Sequence, residues 1–260
     1  MHAGRGSDDA AVGATVGVAT ALEDLKSRGS ALLVVGSVPE TEYARVSGCM
    51  LGDASEDRRR LIVERGRSPD VRFADIDRWT PEWTRILHCD VDARGSTDVD
   101  ASGAATPEFG TDGPESGPTG PSSEGMPTNG PKRSPDVRTS VSGSVTELGI
   151  EVSTAIDQLN TIAGGLDPAE LRIAFDCTTS LLSRYDEQTV FRFLHLLAND
   201  VRRVEAMGHV RLQKPYDAEI VRLLEPLFDA VVELRLEGTV TQQRWHFRDA
   251  GVTSEWLSID

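Results

Sequence analysis

Leu171-Arg-Ile-Ala-Phe175 is a short apolar run that stops on a single carboxylate, Asp176, and is followed at once by Cys177-Thr-Thr-Ser180. A run of this length bounded by polar residues predicts an interior strand of a parallel sheet, covered on both faces, with Asp176 delivered to its C-terminal end. Ala31-Leu-Leu-Val-Val35, closed by Gly36, has the same character and predicts a second such strand. Parallel strands need crossover connections, so the two runs commit the chain to an α/β architecture.

The remaining pattern fills in around them. In the first part, a helix is expected around Val18 to Arg28 and another over 40–51 after Pro39. Strands are expected at Arg60–Glu64, 71–76 and Arg85–Val91, with a turn at Trp79-Thr-Pro-Glu-Trp83 between the last two. In the second part, Ser144-Val-Thr-Glu147 has the capping-box form, and Leu148, Val152, Ile156 and Leu159 then recur at a helical period. Asp167-Pro168 predicts one short helical turn. A long helix is expected from about Glu187 to Met207 with Gly208 as its stop, then a strand at His209–Leu212 and a helix over 217–227. Ala230–Leu236 and Val240–Phe247, joined at Glu237-Gly238, alternate like an antiparallel hairpin, and 252–259 adds an edge strand.

Between these halves, Gly95 to Gly143 is almost wholly Gly, Ser, Thr, Pro, Asp and Glu, with Phe109 as its one aromatic residue. Such a segment buries too little apolar surface to offset the entropy of ordering it. The expected organisation is therefore one domain in two halves, 1–94 and 144–260, interrupted by a disordered acidic insertion at 95–143.

Charge narrows the function classes. Against 42 acidic residues stand 27 basic ones, for a net charge of −15, which argues against a chain that coats DNA or RNA. Only Lys26, Lys132 and Lys214 are lysines, so 24 of the basic residues are arginine. A surface rich in carboxylates and poor in lysine stays hydrated in concentrated salt, where repulsion is screened within a few ångströms, and predicts a halophilic cytoplasmic protein. A GC-rich genome would explain the arginine but not the acidity. Cys49, Cys89 and Cys177 are odd in number and widely spaced, which suggests reduced thiols rather than a disulfide framework or a zinc site. No apolar run is long enough to span a bilayer, and the N-terminus lacks the layout of a signal peptide, so no membrane role is expected.

From roughly Gly143 to Asp260, the strand ending in Asp176, the hydroxylic residues after it, the long helix, the strand opening at His209 and the closing hairpin resemble the second half of a RecA/KaiC/RadA-like core. Tyr185-Asp-Glu-Gln-Thr-Val-Phe-Arg-Phe-Leu194, Phe228-Asp-Ala-Val-Val-Glu-Leu-Arg235 and Gln243-Arg-Trp-His246 resemble an uncharacterised haloarchaeal set of RecA-like proteins more closely still. The resemblance implies a doubly wound, mainly parallel sheet with helices on both faces and a C-terminal antiparallel hairpin. It also implies that an aspartate at the position of Asp176, on a Walker B-like strand, helps hold Mg²⁺ beside the β- and γ-phosphates of ATP. In that family a serine usually comes next; here it is Cys177.

The larger departure follows the first strand. Where the family's GxxxxGK[ST] wraps phosphate with amides and a lysine, this chain has Gly36-Ser-Val-Pro-Glu-Thr-Glu-Tyr-Ala-Arg45. Two glutamates there repel phosphate, and Pro39 removes a donor. The loop is thus expected to be a degenerate P-loop.

Asp176 is the one candidate cofactor-binding residue, weighed against a plain strand-end hydrogen-bonding role. His88, Cys89 and Asp90 lie together, but alternate residues of a strand face opposite ways, so no metal site is expected. His195 with Thr178, Thr179 and Ser180 lacks a nucleophile elbow. Arg58-Arg-Arg60 with Arg65 and Arg67 is expected to form local ion pairs, and Trp245, Phe247 and Trp256 to pack the hairpin. The leading expectation is a noncatalytic RecA/KaiC-like regulatory or signalling accessory module. It would act through contacts with a protein partner, with no cofactor and no nucleic acid, and a homo-oligomer is a candidate form. The alternative is an atypical ATPase binding ATP with Mg²⁺ through Asp176, an arginine or a partner subunit meeting the phosphate charge. A DNA-linked accessory ranks third.

Overall fold

The computed structural model describes residues 18–53, 55–91 and 137–259. Helix α1 covers residues 18–28, and β1 (Ser30–Val35), α2 (Glu40–Leu51), β2 (Arg59–Glu64), a 3₁₀ turn (Asp70–Phe73) and β3 (Thr84–Val91) follow. The second half holds β4 (Arg138–Gly143), α3 (Val145–Ala163), β5 (Leu171–Phe175), the short α4 (Thr178–Leu182), α5 (Glu187–Arg203) and β6 (Met207–Leu212). After these come α6 (Glu219–Leu224), β7 (Ala230–Glu237), β8 (Val240–Phe247), β9 (Val252–Thr253) and β10 (Leu257–Ile259).

One sheet runs in the order β10-β8-β7-β1-β6-β5-β2-β3-β4. From β7 to β4 every neighbouring pair is parallel, while β8, β9 and β10 add the antiparallel edge. The two halves of the chain share it, because β2 from the first half pairs β5 from the second in register Val63↔Phe175. Alternation divides each strand between two cores. Leu33, Val35, Val63 and Phe175 pack under α3 and α5, while Leu32 and Val34 pack under α1 and α2, so helices cover both faces. The doubly wound, mainly parallel sheet expected from the sequence is the observed one.

Local chemistry explains most boundaries. At the start of α3, Ser144 accepts from the Glu147 amide at 3.3 Å and Glu147 accepts from the Ser144 amide at 2.6 Å, the reciprocal pair that the sequence predicts. Leu148, Val152, Ile156 and Leu159 are all buried.

Four expectations are corrected. Residues 71–76 do not form a strand: Phe73 and Ile76, three apart, are the buried apolar pair, which is a helical spacing, Arg72 is buried beside them, and Pro69 leads into a 3₁₀ turn. Helix α5 ends at Arg203 rather than Met207, and Gly208 lies inside β6, where a Cβ would stand 2.9 Å from a methyl of Val201. Residues 138–143 of the expected insertion form β4, an edge strand whose single inward apolar residue, Val141, is too weak a signal to read from composition. The expected last strand divides into β9 and β10, both on β8. The rest of the insertion up to Val137, residues 95–136, lies outside the described residues.

Gly36 ends β1 with φ +117°, and a Cβ there would overlap the carbonyl of Leu234 on β7. Gly66 also has positive φ, +84°, but nothing within 4 Å of a Cβ. Gly36→Ala should therefore lose more than about 2 kcal/mol in chemical denaturation, whereas Gly66→Ala should lose only about 1 kcal/mol, the left-handed strain alone.

Candidate functional site

In a parallel α/β sheet the C-terminal ends of the strands form the ligand crevice, so the residues that leave those ends define the site. On the face covered by α2, Asp176 leaves β5 and Glu64 ends β2 beside it, an adjacency set by the Val63↔Phe175 register. His209, on β6 between β1 and β5, points to the same face and meets Ser47 of α2 at 2.7 Å.

Both oxygens of Asp176 have partners. The Tyr43 hydroxyl, from α2, donates to Oδ1 at 2.5 Å, and Arg72 Nη1, from the 3₁₀ turn, donates to Oδ2. Arg72 Nη1 also donates to Ser68 Oγ at 2.9 Å, Ser68 donates on to Glu64, and Arg72 lies 3.9 Å from the Glu64 carboxylate. Arg138 of β4 approaches Glu64 at 3.4 Å and donates to His88 at 2.9 Å. Two carboxylates thus face two guanidiniums, with the side chains of Arg72, Glu64 and Asp176 only 1%, 2% and 8% exposed.

Burial governs the ionisation of this cluster. Desolvation, then the charge of Asp176, pushes the Tyr43 phenol well above its ordinary range, so it stays a donor. Desolvation alone would pull Arg72 down, but Asp176, Tyr43 and Glu64 outweigh it and the guanidinium stays charged. Desolvation, and next the charge of Arg72, holds His209 down to about 3, so it is a neutral imidazole against Ser47. The Arg72 Nε and Nη2 groups have no acceptor among the described residues.

The turn after β1 is short: Gly36 to Pro39 are all that separate it from α2. The Gly36 amide donates to the Lys214 carbonyl at 2.8 Å, and Pro39 caps α2 with no side-chain bond. Glu40 and Glu42 occupy the first turn of α2. The first pairs with Arg211 at 2.7 Å and the second accepts from Thr241 at 2.8 Å. The Arg211 guanidinium also lies 3.8 Å from the centroid of the Tyr43 ring.

The other sequence candidates lie apart. Cys89 faces away from His88 and contacts the thiol of Cys177. Among the described residues no group of three His, Cys, Asp or Glu side chains could hold a metal ion. His195 is exposed and meets Asn199 one turn on. Arg58, Arg59 and Arg67 make ion pairs with Glu56, Glu170 and Asp70, while Arg60 is buried and donates to the carbonyls of Leu51, Arg58, Gly52 and Asp53. Trp245 and Phe247 stack in the core at 5.8 Å, whereas Trp256 lies under the guanidiniums of Arg235 and Arg244. No described helix is long and apolar enough to cross a membrane.

Glu64, Tyr43 and Arg72 are the residues that sequence reasoning missed. Glu64 carried a usable signal, since it ends Leu61-Ile-Val63 just as Asp176 ends its own strand. Arg72 carried none.

The model of a family of unknown function, DUF7504, matches residues 29–234. No curated protein matches the chain significantly. Among solved structures, a KaiC-like protein from the hyperthermophilic archaeon Pyrococcus horikoshii superposes with a TM-score of 0.50, covering 90% of this chain and 86% of its own, at 10% identity. That likeness is one of fold, and the fold is RecA-like.

Two outcomes follow from the cluster. Arg72→Met leaves two buried carboxylates short of a cation and should cost about 3–5 kcal/mol in denaturation experiments, with part recovered in Arg72→Met/Asp176→Asn. His209 has a native value of about 3, below its unfolded 6.5, so the unfolded chain binds the extra proton between those values. Its contribution is complete above about pH 6.5 and is lost as pH falls toward 3, at up to about 1.4 kcal/mol per pH unit. His209→Gln should flatten that part of the stability profile.

Proposed function

This chain belongs to the DUF7504 family, whose function is unknown, and we propose that it is a noncatalytic RecA/KaiC-like module with a degenerate P-loop, working through protein contacts as a regulatory or signalling accessory. The carrying observation is that Asp176 is already satisfied from within, by Tyr43 on one oxygen and Arg72 on the other. A Mg²⁺ ion needs that carboxylate open, and a triphosphate needs free amides and a cation beside it. The donor set does not fit either requirement. The Gly36 amide is taken, Pro39 has no N–H, and the first turn of α2 presents Glu40 and Glu42.

The sign of the charges supports the same reading. A helix N-terminus attracts anions, but two carboxylates in its first turn oppose that attraction locally. The composition, with its acidity and its three lysines, fits a halophilic, archaeal and cytoplasmic setting.

One observation favours a second reading, an atypical Mg-nucleotide ATPase using Asp176. Arg72 keeps Nε and Nη2 without acceptors among the described residues, so an arriving anion would meet donors. Yet Arg72 is 1% exposed, and the anion would first have to displace Tyr43.

The test is calorimetry with ATP and Mg²⁺ on the full chain in molar KCl. No binding at micromolar nucleotide is expected. Micromolar binding, together with hydrolysis abolished in Asp176→Asn, would establish the second reading instead.

A further inference from the structure

Helices α3 and α5 lie side by side on the face opposite α2, and between them runs a groove with a cavity of about 540 Å³. It is independent of the Asp176 cluster. Gly149 opens its floor, where a Cβ would touch only the Phe193 ring at 3.7 Å. Two large apolar side chains stand in it exposed, Ile150 at 59% and Leu196 at 64%. Exposed leucine alone means little, but two such residues flanking one cavity mark a contact surface.

Charge along α5 says what covers it. Arg192, Leu196 and Asp200 all line the groove and are spaced by four residues, so they stand in one row on the helix, with Leu196 midway. Each step is about 6 Å along the axis. Arg192 pairs with no carboxylate among the described residues, while near the other end Asp200 accepts from Ser153 and shares Arg203 with Asp157, at 3.2 Å and 2.8 Å, which leaves that end with one net negative charge. A twofold axis through Leu196 would lay a second α5 antiparallel on the first. It would bring Leu196 onto its symmetry mate and place each Arg192 against the opposite Asp200. A row that is basic at one end, apolar in the centre and acidic at the other is complementary to itself only under that operation, the mark of an isologous dimer.

We propose that the α3–α5 face is the interface of a symmetric dimer, and that its partner is a second copy of this chain. The 19 residues of α3 and 17 of α5 give a footprint roughly 28 Å by 20 Å, at the low end of stable interfaces, so affinity on the order of micromolar follows. Two bodies of charge −15 repel across it. Screening shortens from about 10 Å at 0.1 M salt to about 3 Å at 1 M, so association strengthens as salt rises.

Sedimentation equilibrium of the full chain, from about 1 to 200 μM protein in low and molar KCl, measures this directly. A dimer favoured by salt is expected, and Leu196→Glu should weaken it at least about 10-fold while leaving the circular dichroism spectrum unchanged. In low KCl, where the ion pairs are least screened, Arg192→Glu and Asp200→Lys should each associate more weakly alone than when mixed, because of these three combinations only the mixed pair has both contacts of opposite sign. Leu196→Cys in a Cys49→Ser background should cross-link to itself through a disulfide when treated with diamide as the oxidant, since the two residues meet on the axis. A monomer throughout the range overturns the proposal, whether the groove is then covered by residues 92–136 of the same chain or by a foreign helix. A dimer indifferent to Leu196→Glu, or a mixture that associates no more tightly than either variant alone, overturns it equally.

Discussion

The ion pair between Arg72 and Asp176 is the contact on which the C-terminal edge of the sheet depends. Its partners come from separate parts of the chain: Tyr43 from α2, Arg72 from the 3₁₀ turn, Glu64 from β2, Arg138 from β4 and Asp176 from β5. Each carboxylate taken from water loses several kcal/mol of hydration, and the Coulombic return in a dry site is large only when a cation stands within contact distance. Two guanidiniums against two carboxylates meet that condition. A cluster balanced in this way holds the two halves of the domain at one point, and it does so across strands that no local sequence signal connects.

The parts of the fold that were legible in the sequence are those whose cause is local. Leu171–Phe175 and Ala31–Val35 read as buried parallel strands because every residue in them but Arg172 is apolar, and all of them are buried; Ser144 with Glu147 announced α3 through bonds that span three residues. Features decided at a distance were not legible. Helix α5 ends where Glu205, a residue with no turn signal, takes a left-handed φ of +51° and the Ala206 amide returns to the Val201 carbonyl at 2.9 Å, and β4 is a strand because β3 offers an open edge, not because its own residues favour one. The site divides the same way. Asp176 was visible as the carboxylate that ends a strand, but the occupants of its two oxygens come from residues 133 and 104 positions earlier, beyond any local pattern.

Arginine use in this chain has a structural side that codon preference does not explain. Arg60, almost fully buried, donates to four different carbonyls around the end of α2, which the single point charge of a lysine could not reach at once. Arg59 and Arg78 both lie over Trp83, at 4.5 Å and 4.1 Å, a contact that suits a flat guanidinium. The acidic excess is then left largely to the surface, where salt screens it. Inside, the same chain relies on planar cations to satisfy backbone oxygens and carboxylates.

Energetics bear on how far the crevice can serve a ligand. Micromolar affinity corresponds to about 8 kcal/mol, and that is what remains after any rearrangement has been offset. Opening the cluster means separating Tyr43 and Arg72 from Asp176, and a broken buried pair costs about 3–5 kcal/mol. A nucleotide would therefore need contacts worth about 11–13 kcal/mol in total to reach micromolar binding, in a turn whose first amide is taken and whose helix opens on two glutamates. A protein surface faces no such deficit. The groove between α3 and α5 has its apolar side chains already exposed and its charges already at the rim, so association there begins without dismantling the fold.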